Sequence, residues 1–172
     1  DNPFHSAKLK HVLKTAAKSA NYGAALPEGH GIGIAVHYSF YSYVASVIEV
    51  SVKDNKLKVH KIHSVIDCGT AVNTDTITAQ MEGAAIFGLS LSYYGKITAK
   101  DGAIEQSNYH DYKMIRMNEA PEIHVEIIKS TDKPTGVGEP GVPVIATALI
   151  NAIFNATGKR YYSLPLMDHG LV

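Results

Sequence analysis

Apolar residues change their period along this 172-residue chain, and each change marks an element. Leu9, Val12, Leu13, Ala16 and Ala17 recur at helical spacing, with Lys8, Lys10, Lys14 and Lys18 mostly off that stripe. The spacing predicts an amphipathic helix. Asp1 or Asn2 suits its cap, Pro3 its first position, and Gly23 its end. From His30 the pattern becomes that of a buried strand through Gly31, Ile32, Gly33, Ile34, Ala35 and Val36. Residues 42–52 and 57–67 are two further strand runs, and Lys53, Asp54, Asn55 and Lys56 join them as a β-hairpin. Regular alternation puts Val59, Lys61, His63 and Val65 on one face of the second run, and Lys58, His60, Ile62 and Ser64 on the other. Neither face is cleanly polar, so both are expected to be partly covered.

A second helix is predicted from Asn73 or Thr74 to Tyr94, closed by Gly95. Gly83 and Gly88 sit in its interior, where each costs about 1 kcal/mol relative to alanine. Close packing against another backbone, or against a bound ligand, is the expected compensation. Short strands follow near 97–100 and 103–106, then an irregular polar-aromatic stretch over 108–120 and a strand over 122–128. Pro143 opens a last helix with the stripe Ala146, Leu149, Ile150, Ile153 and Phe154, and Gly158 caps it beside Lys159 and Arg160. The whole reads as an α+β fold, with helices packed on a mixed or antiparallel sheet in one domain over 1–172.

Composition narrows the function classes. Sixteen basic residues balance sixteen acidic ones, and only Arg116 and Arg160 are arginines. Net neutrality argues against nucleic acid or an anionic membrane as the main partner, and no apolar run reaches the length of a membrane span. Cys68 is the single cysteine, which excludes an internal disulfide and a cysteine metal cluster. It reads as a small buried hydrophobe. The nine histidines form no H-E-x-x-H, and alternation separates His60 from His63, so no metal site is expected. No G-x-S-x-G is present to support a serine hydrolase. Asp67 and Asn73 suit local hydrogen bonds that shape the loop before the second helix. The chain opens on Asp1 with neither methionine nor a signal pattern, and is expected to be a piece of something longer.

The most informative segment is Thr135-Gly136-Val137-Gly138-Glu139-Pro140-Gly141-Val142-Pro143. Its glycines permit close approaches, and its prolines stiffen the turn and remove two donors. Such a turn holds one carboxylate rigidly at the mouth of a site, as a catalytic base requires. A merely structural turn is the plainer alternative. Gly136, Gly138 and Gly141 also satisfy G-x-G-x-x-G, the dinucleotide fingerprint. Its context fails here: the first glycine stands well beyond the strand, Glu139 would face a pyrophosphate, and one helix and a short tail follow.

Three segments together resemble one family: Asp67-Cys68-Gly69 through Asn73, Gln80-Met81-Glu82-Gly83-Ala84 through Gly88, and Gly136-Val137-Gly138-Glu139-Pro140. The chain is similar to the large, molybdenum-binding subunit of the xanthine dehydrogenase/aldehyde oxidase family, in the isoquinoline 1-oxidoreductase beta-subunit branch. Asn108 to Tyr112, Arg116 to Pro121 and Ala156 to Arg160 fit that branch as well. The resemblance covers nearly the whole chain, as the family's C-terminal portion, a molybdopterin-binding lobe.

That resemblance implies an oxidoreductase that hydroxylates an N-heterocycle or an aldehyde with water-derived oxygen. The implied cofactor is molybdenum on molybdopterin, in the cytosine dinucleotide form, with electrons leaving through [2Fe–2S] clusters on a small partner subunit. The implied partners are that subunit, the rest of the large subunit and a small-molecule substrate. By the same resemblance Glu139 matches the catalytic base and Gln80 the glutamine that hydrogen-bonds the pterin. Gly83, one turn along, and Gly138, beside the base, let the cofactor lie close. Burial is expected to raise the basicity of Glu139 against the opposing field of the helix at Pro143. The stretch alone is expected to be inactive, and a non-catalytic assembly lobe is the alternative from another class.

Overall fold

The structure, a computed structural model, describes residues 4–171. The predicted cap at Asp1 or Asn2 and the Pro3 start lie outside that range. The first helix, α1, spans Ser6–Ser19 and begins at His5 without a side-chain cap. Three long strands follow: β1 (His30–Ser39), β2 (Ser42–Lys53) and β3 (Lys56–Asp67). Then come α2 (Thr74–Tyr94), a small pair β4 (Ala99–Lys100) and β5 (Ala103–Ile104), β6 (Glu122–Ile127) and α3 (Pro143–Thr157). Leu166–His169 adds a 3-10 turn.

The main sheet runs β1-β2-β3-β6, antiparallel for its first two pairings and parallel between β3 and β6. It is therefore the mixed sheet that the α+β reading expects. α1 lies on one face, while α2 and α3 cover the other. The main core joins Ile48, Ile62 and Ile66 of the sheet to Met81, Leu89, Ile145, Leu149 and Ile153 of those two helices. A smaller cluster packs Val12 and Ala16 of α1 on Tyr43, Ala45, Val47 and Val65. Burial on both faces explains why the strands lack clean alternation.

One register detail corrects the alternation expected for β3. Glu49 pairs with Lys61, whereas Val50 pairs with Val59, so His60 is an extra residue in a β-bulge. Beyond the bulge every side chain changes face. Val59 accordingly joins Ile62 in the main core and parts from Val65, which faces α1. His60 bonds Ser51 and stacks on His30 (centroids 4.9 Å apart), while His63 stacks on His124 at 4.7 Å. By strand pairing, His60 and His63 thus share the α1 face rather than lying on opposite faces. Among the described residues no group of three potential ligands converges on a metal position.

α3 reaches β1 because that strand offers glycine. A β-carbon on Gly33 would fall on the Ala148 carbonyl oxygen and the Ala152 nitrogen, so the helix backbone rests directly on the strand. Asn155 Oδ1 accepts from Ile32 N (2.9 Å), and Asn151 Nδ2 donates to the Ile34 carbonyl (3.2 Å). These amides cap the edge strand, which would otherwise present free donors and acceptors. Gly158 ends α3 at φ 71°, donating to the Phe154 carbonyl at 2.8 Å.

Candidate functional site

The glutamate turn is fastened to three parts of the fold. Thr135 N donates to the Cys68 carbonyl (2.9 Å), and Gly136 N to the Phe40 carbonyl (3.0 Å) at the β1–β2 tip. Ser42 Oγ, whose residue is fully buried, donates to the Gly136 carbonyl at 2.6 Å. A β-carbon on Gly136 would come within 2.6 Å of Phe40 Cβ, and one on Gly141 within 2.9 Å of Ala84 Cβ. Two of the three fingerprint glycines are thus consumed by packing within the protein. The turn follows an edge strand, and among the described residues no further strand comes after it. The doubly wound sheet of a dinucleotide fold is therefore not the setting of these glycines.

Upstream of the turn a charged group braces the same loops. Asp67 is 4% exposed, accepts from Gly69 N at 3.1 Å and lies 3.5 Å from Lys8 Nζ. Lys8 also bonds Asp132. Partial burial works against the Lys8 charge, but the bonds to the two carboxylates outweigh it and raise its pKa. The Lys8 bond holds Asp132 below the usual carboxylate range. Asn73 caps α2 as expected, its Oδ1 accepting from Thr76 N at 2.9 Å.

α2 carries Gln80 to the turn. Its Nε2 donates to the Gly138 carbonyl at 3.3 Å, the sole hydrogen bond of that amide among the described residues. Gln80, Gly83, Gly138 and Glu139, the four residues singled out in the sequence, all line one cavity of about 440 Å³. The helix starting at Pro143 has its first residue in the same wall. The two interior glycines of α2 part ways. A β-carbon on Gly88 would sit 2.7 Å from Ile145 Cβ, so Gly88 serves helix packing. One on Gly83 would meet nothing within 4 Å, so no contact among the described residues accounts for that glycine.

Glu139 is exposed. The burial expected to raise its basicity is not supplied by the described residues, because the turn presents the carboxylate outward from a rigid base. It forms no ion pair among them. No lysine or arginine lines the cavity.

Four further lining residues escaped the sequence reading: His37, Ser39, Phe40 and Phe87. Period-two spacing from Gly33 and Ala35 puts His37 and Ser39 on the cavity side of β1. Phe87 lies seven residues beyond Gln80 and four beyond Gly83, so helical periodicity places all three on one stripe. Those spacings were the available signal. The Ser39 hydroxyl is buried with no hydrogen-bond partner among the described residues. A single-bonded glutamine amide, an unpartnered serine and an uncovered glycine suit a polar heterocyclic ligand with a flat face.

Comparison with known proteins gives the family. The family model described as "Molybdopterin cofactor-binding domain" matches residues 6–121. The beta subunit of isoquinoline 1-oxidoreductase from Brevundimonas diminuta is 34% identical over 160 residues, which cover 90% of this chain and 20% of that protein. A membrane-bound aldehyde dehydrogenase (pyrroloquinoline-quinone) from Gluconacetobacter polyoxogenes is 31% identical, over 90% of this chain and 21% of its own length. The chain therefore spans about a fifth of these curated relatives. Among solved structures, quinoline 2-oxidoreductase from Pseudomonas putida 86 shares the fold with a TM-score of 0.63 and 18% identity, over 73% of this chain and 17% of that one. Aldehyde oxidoreductase from Desulfovibrio gigas does so with a TM-score of 0.62 and 22% identity, over 72% of this chain and 14% of that one. With the family model spanning most of the chain, this protein belongs to the molybdopterin cofactor-binding domain family.

Proposed function

We propose that this domain forms one wall of the catalytic centre of a molybdenum hydroxylase acting on an N-heterocycle or an aldehyde. The observation that carries the reading is the meeting of Gln80, Gly83, Gly138 and Glu139 in one cavity, across 58 residues of sequence between Gln80 and Gly138. Gln80 would hold the pterin edge through its amide, with Gly83 and Gly138 keeping the approach free of side chains. When bound, the molybdenum–pterin group supplies two-electron oxidation and water-derived oxygen, in the cytosine dinucleotide form with [2Fe–2S] clusters on a partner subunit.

Glu139 would act as the proton acceptor, its carboxylate taking the proton released by the water that supplies the oxygen. Backbone rigidity is what the fold contributes: the carbonyl of Gly136 and the backbone of Thr135 are tied down, so the turn that carries Glu139 needs little further ordering when the site is completed. A carboxylate gains base strength as water is excluded, and the exposed Glu139 would need the rest of the large subunit and the substrate to cover it. Two relatives, an isoquinoline oxidoreductase and an aldehyde dehydrogenase, support the substrate class.

The test is Glu139→Gln in the full-length enzyme with its partner subunit. Turnover should fall by about 10²–10⁴-fold, the usual worth of a general base, with molybdenum content per protomer unchanged. Near-normal turnover removes Glu139 from the chemistry. The exposure of Glu139 favours a second reading, an assembly lobe without catalysis, and that same outcome would support it.

A further inference from the structure

A second cavity adjoins the first. It occupies about 600 Å³ between α2 and the segment that leads into β6, and Ala79, Ile86, Met114, Pro121 and Ile123 line it, with Glu82 beside them. Gly83 and Phe87 line both cavities. The boundary is therefore one turn of α2, on which Gly83 presents no side chain and Phe87 presents a ring. That ring is 44% exposed, so the protein core does not claim it.

The far wall of this second cavity is itself held in place. Ile115 N donates to Ser90 Oγ at 3.0 Å, and Glu119 accepts from both Tyr94 OH (3.3 Å) and Arg116 N (3.0 Å). An irregular segment bonded in this way keeps a groove open instead of collapsing onto α2. Neither cavity has a lysine or arginine in its lining, and each has a glutamate, Glu139 in one and Glu82 in the other. For the substrate, an anionic group finds no cationic partner there, and a flat apolar ring is favoured.

We propose that Phe87 sets the size of substrate this site accepts, its ring being the partition between the reacting cavity and the adjoining groove. A one-ring substrate fits on the Glu139 side alone. A neutral fused-ring substrate extends past residue 87 and buries its distal ring against Ile86, Met114 and Pro121. Phe87 is a specificity-determining residue in this scheme, with no part in the proton transfer. The inference rests on reading the first cavity as the reacting one.

The experiment uses the full-length enzyme with its partner subunit and two substrate pairs, each a one-ring compound with its fused-ring counterpart: benzaldehyde with 2-naphthaldehyde, and pyrimidine with quinazoline. The readout is the ratio of kcat/KM, larger over smaller substrate, within whichever pair the wild type oxidises. Phe87→Ala should raise that ratio roughly 10-fold or more, the scale on which a pocket discriminates by apolar bulk. Phe87→Trp should lower it. An unchanged ratio in a Phe87→Ala enzyme with wild-type molybdenum content overturns the proposal. Should Phe87→Ala lose metal or fail to fold, Phe87→Trp decides alone, a fall in the ratio supporting the proposal and no change overturning it. The underlying reading fails separately: if Glu139→Gln keeps its turnover, the first cavity is not the reacting one, and this proposal falls with it.

Discussion

Replacing Gly83 by alanine should make the protein more stable and the enzyme worse. In an interior turn of α2, glycine costs roughly 0.5–1 kcal/mol relative to alanine, through backbone entropy lost on folding. Normally a steric clash offsets that gain. Among the described residues none is available, since a β-carbon on Gly83 would meet no atom of another element within 4 Å. The expected change is therefore a stabilisation of about 0.5–1 kcal/mol, or roughly 1–4 °C in melting temperature for a chain of this size. Gly88→Ala is the internal control on the same helix. Its β-carbon would lie 2.7 Å from Ile145 Cβ, and overpacking of that kind costs about 1–3 kcal/mol. Thermal or urea unfolding of the chain measures both variants. Molybdenum and pterin content of the full-length Gly83→Ala enzyme measures the other half, and should fall because the new methyl group occupies the path beside Gln80. A destabilised Gly83→Ala chain would show that the glycine serves packing. Full cofactor content and unaltered turnover would detach Gly83 from the cofactor.

Two further outcomes are expected. Gly33→Ala should destabilise the fold by about 1–3 kcal/mol or more, since its β-carbon would strike the α3 backbone at Ala148 and Ala152; wild-type stability in urea denaturation would contradict the direct seating of α3 on β1. Stability should also fall with acid in a defined window. Burial, then the neighbouring ring, lowers the pKa of His60 and of His63 below the ordinary 6.5. The folded state therefore favours their neutral forms, the stability is fully present above 6.5, and it is lost as pH falls through their lowered values. Unfolding midpoints recorded from pH 7.5 to 5 should decline, and a His60→Gln/His63→Gln variant should decline less; identical slopes would refute the assignment.

Much of the architecture was legible because it rests on short-range rules. The α2 span, its Asn73 cap, the 53–56 turn and the Gly158 stop all depend on residues within a few positions of one another, and the structure has them where expected. The bulge at His60 was not legible. Its cause is the pairing of Val50 with Val59 across the hairpin, which no local period records. That one residue reassigned Val59 to the other face and brought His60 and His63 to the same one.

The candidate site divides in the same way. A stiff turn around one carboxylate, a glutamine on a helix with unexplained glycines, and the resemblance that joined them can all be read along the chain. Those features are chemical, and side-chain identity and φ/ψ preference are enough to state them. Three-dimensional packing was needed to learn that Gln80 reaches Gly138, that Gly88 packs while Gly83 stays bare, that Phe87 stands between two cavities, and that Glu139 is exposed. Each of those depends on how α2 lies across the sheet and against α3, which is set by core volume and by backbone contacts between residues far apart in sequence.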